Sequence, residues 1–227
     1  MGNSMEKSEV LRIIESAWAQ KRAPDFRRAD LSRLDLRQVN LRRANLNEAD
    51  LFAADLREAV LNNASLIFAN LMKAKLQGAD LSHANMVFAS LHLADLTAAE
   101  MSEVNLSAAD LLGATLHQAR LFGATLAEAN LSEVVLSEAI LKRAVLTESN
   151  LTGAVLAGAV LSGASLKYAV LAGADLSEAD LSEAALTGAD LTGARLSGAV
   201  YNEATRWDAG VNPAGLGAKK SRRWFLF

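Results

Sequence analysis

Residues 174–193 read ADLSE, ADLSE, AALTG, ADLTG. In each group of five the third residue is leucine (Leu176, Leu181, Leu186, Leu191) and the first is alanine. A small hydroxyl residue and then Glu or Gly complete the group. Followed outward in both directions, this register runs without insertion from residue 24 to residue 203. Every fifth residue from Phe26 to Tyr201 is large and apolar, which makes 36 consecutive centres. Of these, 32 are Leu and the others are Phe26, Met86, Met101 and Tyr201. Two residues before the centre stands Ala in 30 cases, with Pro24, Leu34, Val39, Val104, Val134 and Ser149 as exceptions.

A period of five suits neither regular element. On a helix it would spread the leucines around the whole circumference, and on a strand it would send them to alternate faces. The pattern is consistent if the chain turns a corner every five residues, so that each centre points at one axis. If four such units close a square coil of twenty residues, coils stack like a parallel sheet about 4.8 Å apart. Leu stacks on the Leu twenty residues later, and Ala fills the tighter space beside the corner. Thirty-six units predict nine coils and a rod roughly 43 Å long at that spacing. The composition agrees, since 51% of the chain is apolar but only 5% aromatic, as a narrow Leu/Ala core requires.

The run A(D/N)LXX resembles the pentapeptide-repeat family. That resemblance implies an all-β solenoid, a right-handed parallel quadrilateral β-helix. It covers 180 of the 227 residues and divides the chain into an N-terminal helical cap (1–23), the β-helix (24–203), and a C-terminal cap and tail (204–227). The entry segment LRIIESAWAQKRAPDFRRADL (11–31) and the exit YNEATRWDAGVNPAGLGA (201–218) also resemble cyanobacterial members of the family.

A stack of open coils leaves apolar ladder and unpaired backbone at both ends. Val10, Leu11, Ile13, Ile14 and Trp18 recur at helical spacing and predict a short amphipathic helix over 8–20, with Ser8 as N-cap and Pro24 ending the segment. At the other end Arg206 stands where a leucine is due, and Gly210, Pro213, Gly215 and Gly217 predict an irregular closing loop with Trp207 over the last coil. The final residues KKSRRWFLF (219–227) join four cations to three aromatics, a composition suited to contact with a membrane surface or a partner. No apolar stretch approaches 18 residues and no apolar run follows the charged start, so neither a membrane span nor a signal peptide is expected, and the location expected is cytoplasmic.

The expectation for chemistry is that there is none. The chain has no cysteine, which excludes disulfides, thiolate metal sites and cysteine nucleophiles. His83, His92 and His117 belong to different faces of a square coil, too dispersed for a shared metal or a catalytic constellation. The glycines stand two residues after the centre, where a corner favours them, and form no phosphate-binding loop. No catalytic residue, no metal site, no cofactor and no small-molecule substrate are expected.

Charge and outward apolar residues are the remaining signals. Over 24–203 there are 14 cations and 22 acids, and the first two coils are balanced, so the acidic excess lies in the later coils. The resemblance raises one specific alternative, because some members of the family mimic DNA and bind the type II topoisomerase gyrase. This register lacks the loop insertions of the quinolone-resistance branch. No face carries a sustained basic stripe, so nucleic acid is not an expected partner. Positions twenty apart become neighbours, which stacks Phe68 beside Phe88 and Ile67 beside Val87. On the next face Phe52, Met72, His92 and Leu112 form a column with Leu93 alongside. The apolar set Phe52, Ile67, Phe68, Met72, Val87, Phe88, Leu93 and Leu112 is the candidate interaction surface, for a protein partner or a second copy of the chain.

Overall fold

The computed structural model describes residues 5–221. Its order is one helix, α1 (Lys7–Ala19), a long bridged segment, and two short strands, β1 (Val200–Tyr201) and β2 (Lys219–Lys220), paired in parallel. Between α1 and β1 the chain returns to its own side every twenty residues. Parallel bridges join Asp25 to Asn45, Asp30 to Asp50, Asp35 to Asp55 and Asn40 to Val60, and each of these four ladders continues at the same spacing along the repeat. Single bridges replace strands because each five-residue unit is half extended chain and half turn.

One unit, 70–74, accounts for its own backbone completely. The Asn70 N–H donates back to the Ala49 carbonyl at 2.9 Å, while those of Leu71 and Lys73 donate forward to Ser90 and His92 at 2.7 and 2.9 Å. The Ala74 N–H closes a turn on the Leu71 carbonyl at 2.9 Å. Met72 is left over, and its N–H donates to Oδ1 of Asn70 at 3.1 Å. This explains why Asp or Asn so often precedes the centre, since an Asx side chain supplies the acceptor that the coil does not. The third turn residue, Lys73, has φ of 58°, as a type II turn requires. From Arg28 to Glu183 the non-glycine corners share this conformation, with φ between 52° and 63°. The corner is therefore imposed by the stack rather than chosen by glycine.

Every centre from Phe26 to Leu186 is buried, as is Leu196, while Leu191 and Tyr201 are half-buried near the C-terminal end. Ser149, which replaces Ala at one inner site, is also buried and donates its hydroxyl to the Leu146 carbonyl at 2.8 Å. The inner wall is thus almost wholly apolar, and the hydroxyl at 149 is satisfied.

Both ends depart in detail from the sequence reading. Helix α1 starts one residue earlier than predicted, and its N-cap is Glu6 in extended conformation with no side-chain hydrogen bond. Ser8 lies inside the first turn and donates to the Glu6 carboxylate at 3.4 Å. Val10, Ile14 and Ala17 are the buried side of α1, and Val10 and Ile14 join the core with Phe26, whereas Leu11 and Trp18 are 39% and 36% exposed. At the far end the period lengthens by one. Ala185 bridges Arg206 instead of residue 205, and the Leu186 N–H donates to the Arg206 carbonyl at 2.7 Å. Arg206 therefore occupies the bridging position, and Trp207 takes the place of a centre, edge-on to Tyr201 with ring centroids 5.7 Å apart. The Asn202 side chain takes part in the adjustment, accepting the Glu183 N–H at 3.0 Å where other coils offer a backbone carbonyl. Lys219 and Lys220 extend the pairing as β2, and the remainder of the tail, 222–227, lies outside the described residues.

Candidate interaction surface

The eight apolar residues singled out by register fall on two neighbouring faces. Phe68 and Phe88 sit at positive-φ corners, with φ of 57° and 58°, which swings their rings off the wall. They stack with centroids 4.9 Å apart and planes inclined by 7°, and remain 59% and 52% exposed. Ile67 and Val87, one residue earlier, are half-buried against the wall. The Val87 N–H is held by the Asn85 side chain at 3.4 Å, and that of Ile67 by Asn47 from the coil before at 2.9 Å.

On the next face Phe52, Met72 and Leu112 lie half-buried, and their N–H groups are fixed by Asp50, Asn70 and Asp110. Leu93 is half exposed and reaches over Gly113, where an added Cβ would stand 3.0 Å from its Cδ2. Phe52 is engaged locally, with the Arg33 guanidinium 5.7 Å from its ring centre. The stacked phenylalanines thus form the exposed crest of the cluster, while the second face is flatter. Tyr168, exposed to 60%, lies in the same corner column as Phe68 and Phe88 but four coils beyond Phe88, and Phe122, exposed to 40%, lies on another face. Both were legible as outward positions, yet neither has an apolar stacking neighbour twenty residues away.

Many polar groups outside the cluster are occupied by the stack itself. His83 Nδ1 lies 3.3 Å from Glu103, and His117 Nδ1 donates to the Ser137 carbonyl at 3.0 Å. Among the described residues no group of His, Asp and Glu side chains could hold a metal ion. Arginines of the first coils pair with acids two positions back or one coil on, as in Arg27–Asp25, Arg37–Asp35 and Arg57–Asp55 at 2.6–2.8 Å and Arg28–Glu48 at 2.8 Å. The carboxylates of Asp25, Asp35 and Asp55 lie below the ordinary Asp value of 3.8, chiefly through the arginine hydrogen bond. Asp30 is lowered instead by the Ser32 hydroxyl and N–H. These shifts belong to surface turns and involve no buried reactive group. No helix among the described residues is long and apolar enough to cross a membrane.

A parallel β-helix with twenty-residue turns, five-residue units and an inner Leu/Ala ladder defines the class of protein. The family model for pentapeptide repeats matches 25–51, 49–87, 89–127, 129–167 and 159–198, and the chain belongs to that family. Membership gives the helix its hand, a right-handed β-helix. Among solved structures, a trypsin-treated variant of QnrB1, a plasmid-mediated fluoroquinolone resistance protein, matches with a TM-score of 0.62 at 21% identity, over 70% of this chain and 84% of that one. HetL, a pentapeptide-repeat protein involved in heterocyst differentiation regulation in the cyanobacterium Nostoc sp. strain PCC 7120, is 33% identical over 87% of this chain and 97% of its own, with a TM-score of 0.41. A pentapeptide-repeat protein from the Arabidopsis thaliana thylakoid lumen is 34% identical over 45% of this chain and 68% of its own, with a TM-score of 0.24. No curated protein sequence matches the chain significantly.

Proposed function

We propose that the chain is a non-enzymatic, cytoplasmic scaffold for protein–protein interaction. Its nine four-sided coils (24–203), closed by a helical cap (1–23) and a C-terminal cap with its tail (204–227), present a docking surface made of Phe52, Ile67, Phe68, Met72, Val87, Phe88, Leu93 and Leu112. The observation that carries this reading is the stacked, more than half-exposed Phe68–Phe88 pair. The fold does not need it. The same column holds Arg28, Glu48, Ala108, Glu128, Glu148 and Gly188 in other coils. Burying a few hundred Å² of such surface, at about 25 cal/mol per Å², gives several kcal/mol of gross attraction before the costs of association.

A second copy of the chain is the first occupant to test. Sedimentation of the wild type across a concentration series, beside the double variant Phe68→Ser and Phe88→Ser, is the direct experiment. The variant is expected to melt like the wild type and to lose self-association or capture of its partner. Equal behaviour of the two in both assays reduces the pair to a stiffening ladder. The alternative reading, a DNA mimic directed at gyrase, rests on the acids of the later coils, where Glu128, Glu133 and Glu138 stand at successive corners of one turn. It requires inhibition of supercoiling by micromolar protein that fades steeply with salt, and absence of inhibition removes it.

A further inference from the structure

The four faces of the first turn begin DFRR (25–28), DLSR (30–33), DLRQ (35–38) and NLRR (40–43). Two of them carry paired arginines after the centre, but their surroundings differ. Arg27 is bound by Asp25 and Arg28 by Glu48 from the next turn. On the fourth face both potential acid positions are amides. Asn40 stands where the other faces have Asp, and Asn62 and Asn63 lie one turn on from Arg42 and Arg43. Among the described residues neither Arg42 nor Arg43 has an ion-pair partner. These two guanidinium groups border an open groove of about 340 Å³, whose remaining lining is Asn40 and Trp18 from α1. Trp18, like Leu11, is an apolar residue that the helix leaves partly exposed, and among the described residues no arginine lies over its ring. Glu58, a nearby carboxylate in sequence, does not line the groove and accepts a hydrogen bond from Gln38 at 2.7 Å.

We propose that this groove binds a nucleotide, with the base on the Trp18 indole and the phosphates on Arg42 and Arg43. Each element has a physical counterpart. An exposed indole face offers sequence-tolerant stacking to any base. A pair of uncompensated guanidinium forks offers bidentate, charge-assisted hydrogen bonds to phosphate oxygens. The volume is that of a small-ligand site. A bare anion would use the arginines and ignore the indole, so the tryptophan decides between the two. This site is at the N-terminal end of the chain and does not depend on the apolar cluster.

The test is calorimetric titration of the full chain with ADP, adenosine and pyrophosphate at low salt. ADP is expected to bind, adenosine far more weakly, and affinity is expected to fall as salt rises. The double variant Arg42→Gln and Arg43→Gln should lose at least about tenfold in ADP affinity, as expected on removing charge-assisted phosphate contacts. Arg27→Gln, which alters a paired arginine, should leave ADP affinity unchanged. Trp18→Leu should weaken ADP but not pyrophosphate. Thermal melts confirm that each variant is folded. The proposal is overturned if ADP shows no heat at about 1 mM, if Arg27→Gln weakens it as much as the double variant, or if pyrophosphate equals ADP and Trp18→Leu changes neither.

Discussion

The Tyr168 ring lies directly over the backbone of Gly188, one turn further along, and a Cβ added at 188 would collide with its Cδ1 and Cε1 atoms. Gly173, at a corner on the neighbouring face, has nothing within 4 Å of the same imagined atom. Both glycines have positive φ, 74° and 68°, so an alanine at either incurs the same backbone cost of about 1 kcal/mol. Only Gly188→Ala must also displace a ring. Urea melts should therefore show Gly188→Ala as the more destabilising, and in a Tyr168→Ala background the excess should vanish. Additive effects of the two substitutions would mean that ring and glycine are independent.

The inner ladder predicts a wide gap between two single variants. Leu116 is fully buried among leucines and alanines, so Leu116→Asp places an unpaired carboxylate in a dry stack. A loss of more than about 4 kcal/mol, enough to unfold a marginal protein, is expected. Glu128 is exposed at a corner, and Glu128→Ala should shift stability by less than about 0.5 kcal/mol. Comparable melting curves for the two would mean that the inside and outside of the coil have been exchanged.

The contrast between these positions shows what the sequence made legible. Wherever the same constraint acts every five residues, as at Leu116 or Phe68, one register assigns inside and outside for the whole repeat. The ends have no such repetition. Trp18 has helical spacing with Leu11 and Ile14, yet where α1 meets the first coil Ile14 is buried and Leu11 and Trp18 are left partly exposed. Arg206 was legible as a broken ladder position. That one extra residue moves Trp207 into the centre's place depends on Asn202 substituting for a backbone carbonyl, which no spacing announces. The candidate surface was legible as a column, but the engagement of Phe52 by Arg33 depends on rotamers.

Where Asp or Asn precedes the centre, its side-chain acceptor should contribute measurably to stability. Oδ1 of Asp80 accepts the Ser82 N–H at 3.0 Å, the one N–H of its unit that no backbone carbonyl serves. Asp80→Asn preserves that oxygen, as Asn70 and Asn130 do naturally, and should be nearly neutral. Asp80→Ala removes it and should cost about 0.5–1.5 kcal/mol. Denaturant melts of the two variants at pH 7 check this, and equal stability would make the Asx bond dispensable.

Acid should weaken the protein through its first coils. Asp25, Asp35 and Asp55 are held below 3.8 chiefly by hydrogen bonds from Arg27, Arg37 and Arg57, and Glu48 below 4.5 by Arg28. A carboxylate whose folded value is depressed binds fewer protons folded than unfolded near its ordinary value. Its contribution is complete above that value and is lost as pH falls toward the folded one. The melting temperature should therefore hold from pH 7 to about 5 and decline below about 4. All these groups are on the surface, so the acid limb should also flatten in high salt. In the triple variant Asp25→Asn, Asp35→Asn and Asp55→Asn the Asx acceptors survive while the arginine pairs do not. The variant should be somewhat less stable than the wild type at neutral pH, where the pairs contribute, and its acid limb should be shallower, the two curves converging below about pH 4. If wild type and variant lose the same stability between pH 7 and pH 3, the acid sensitivity lies elsewhere in the coil and the arginine pairs contribute nothing to it.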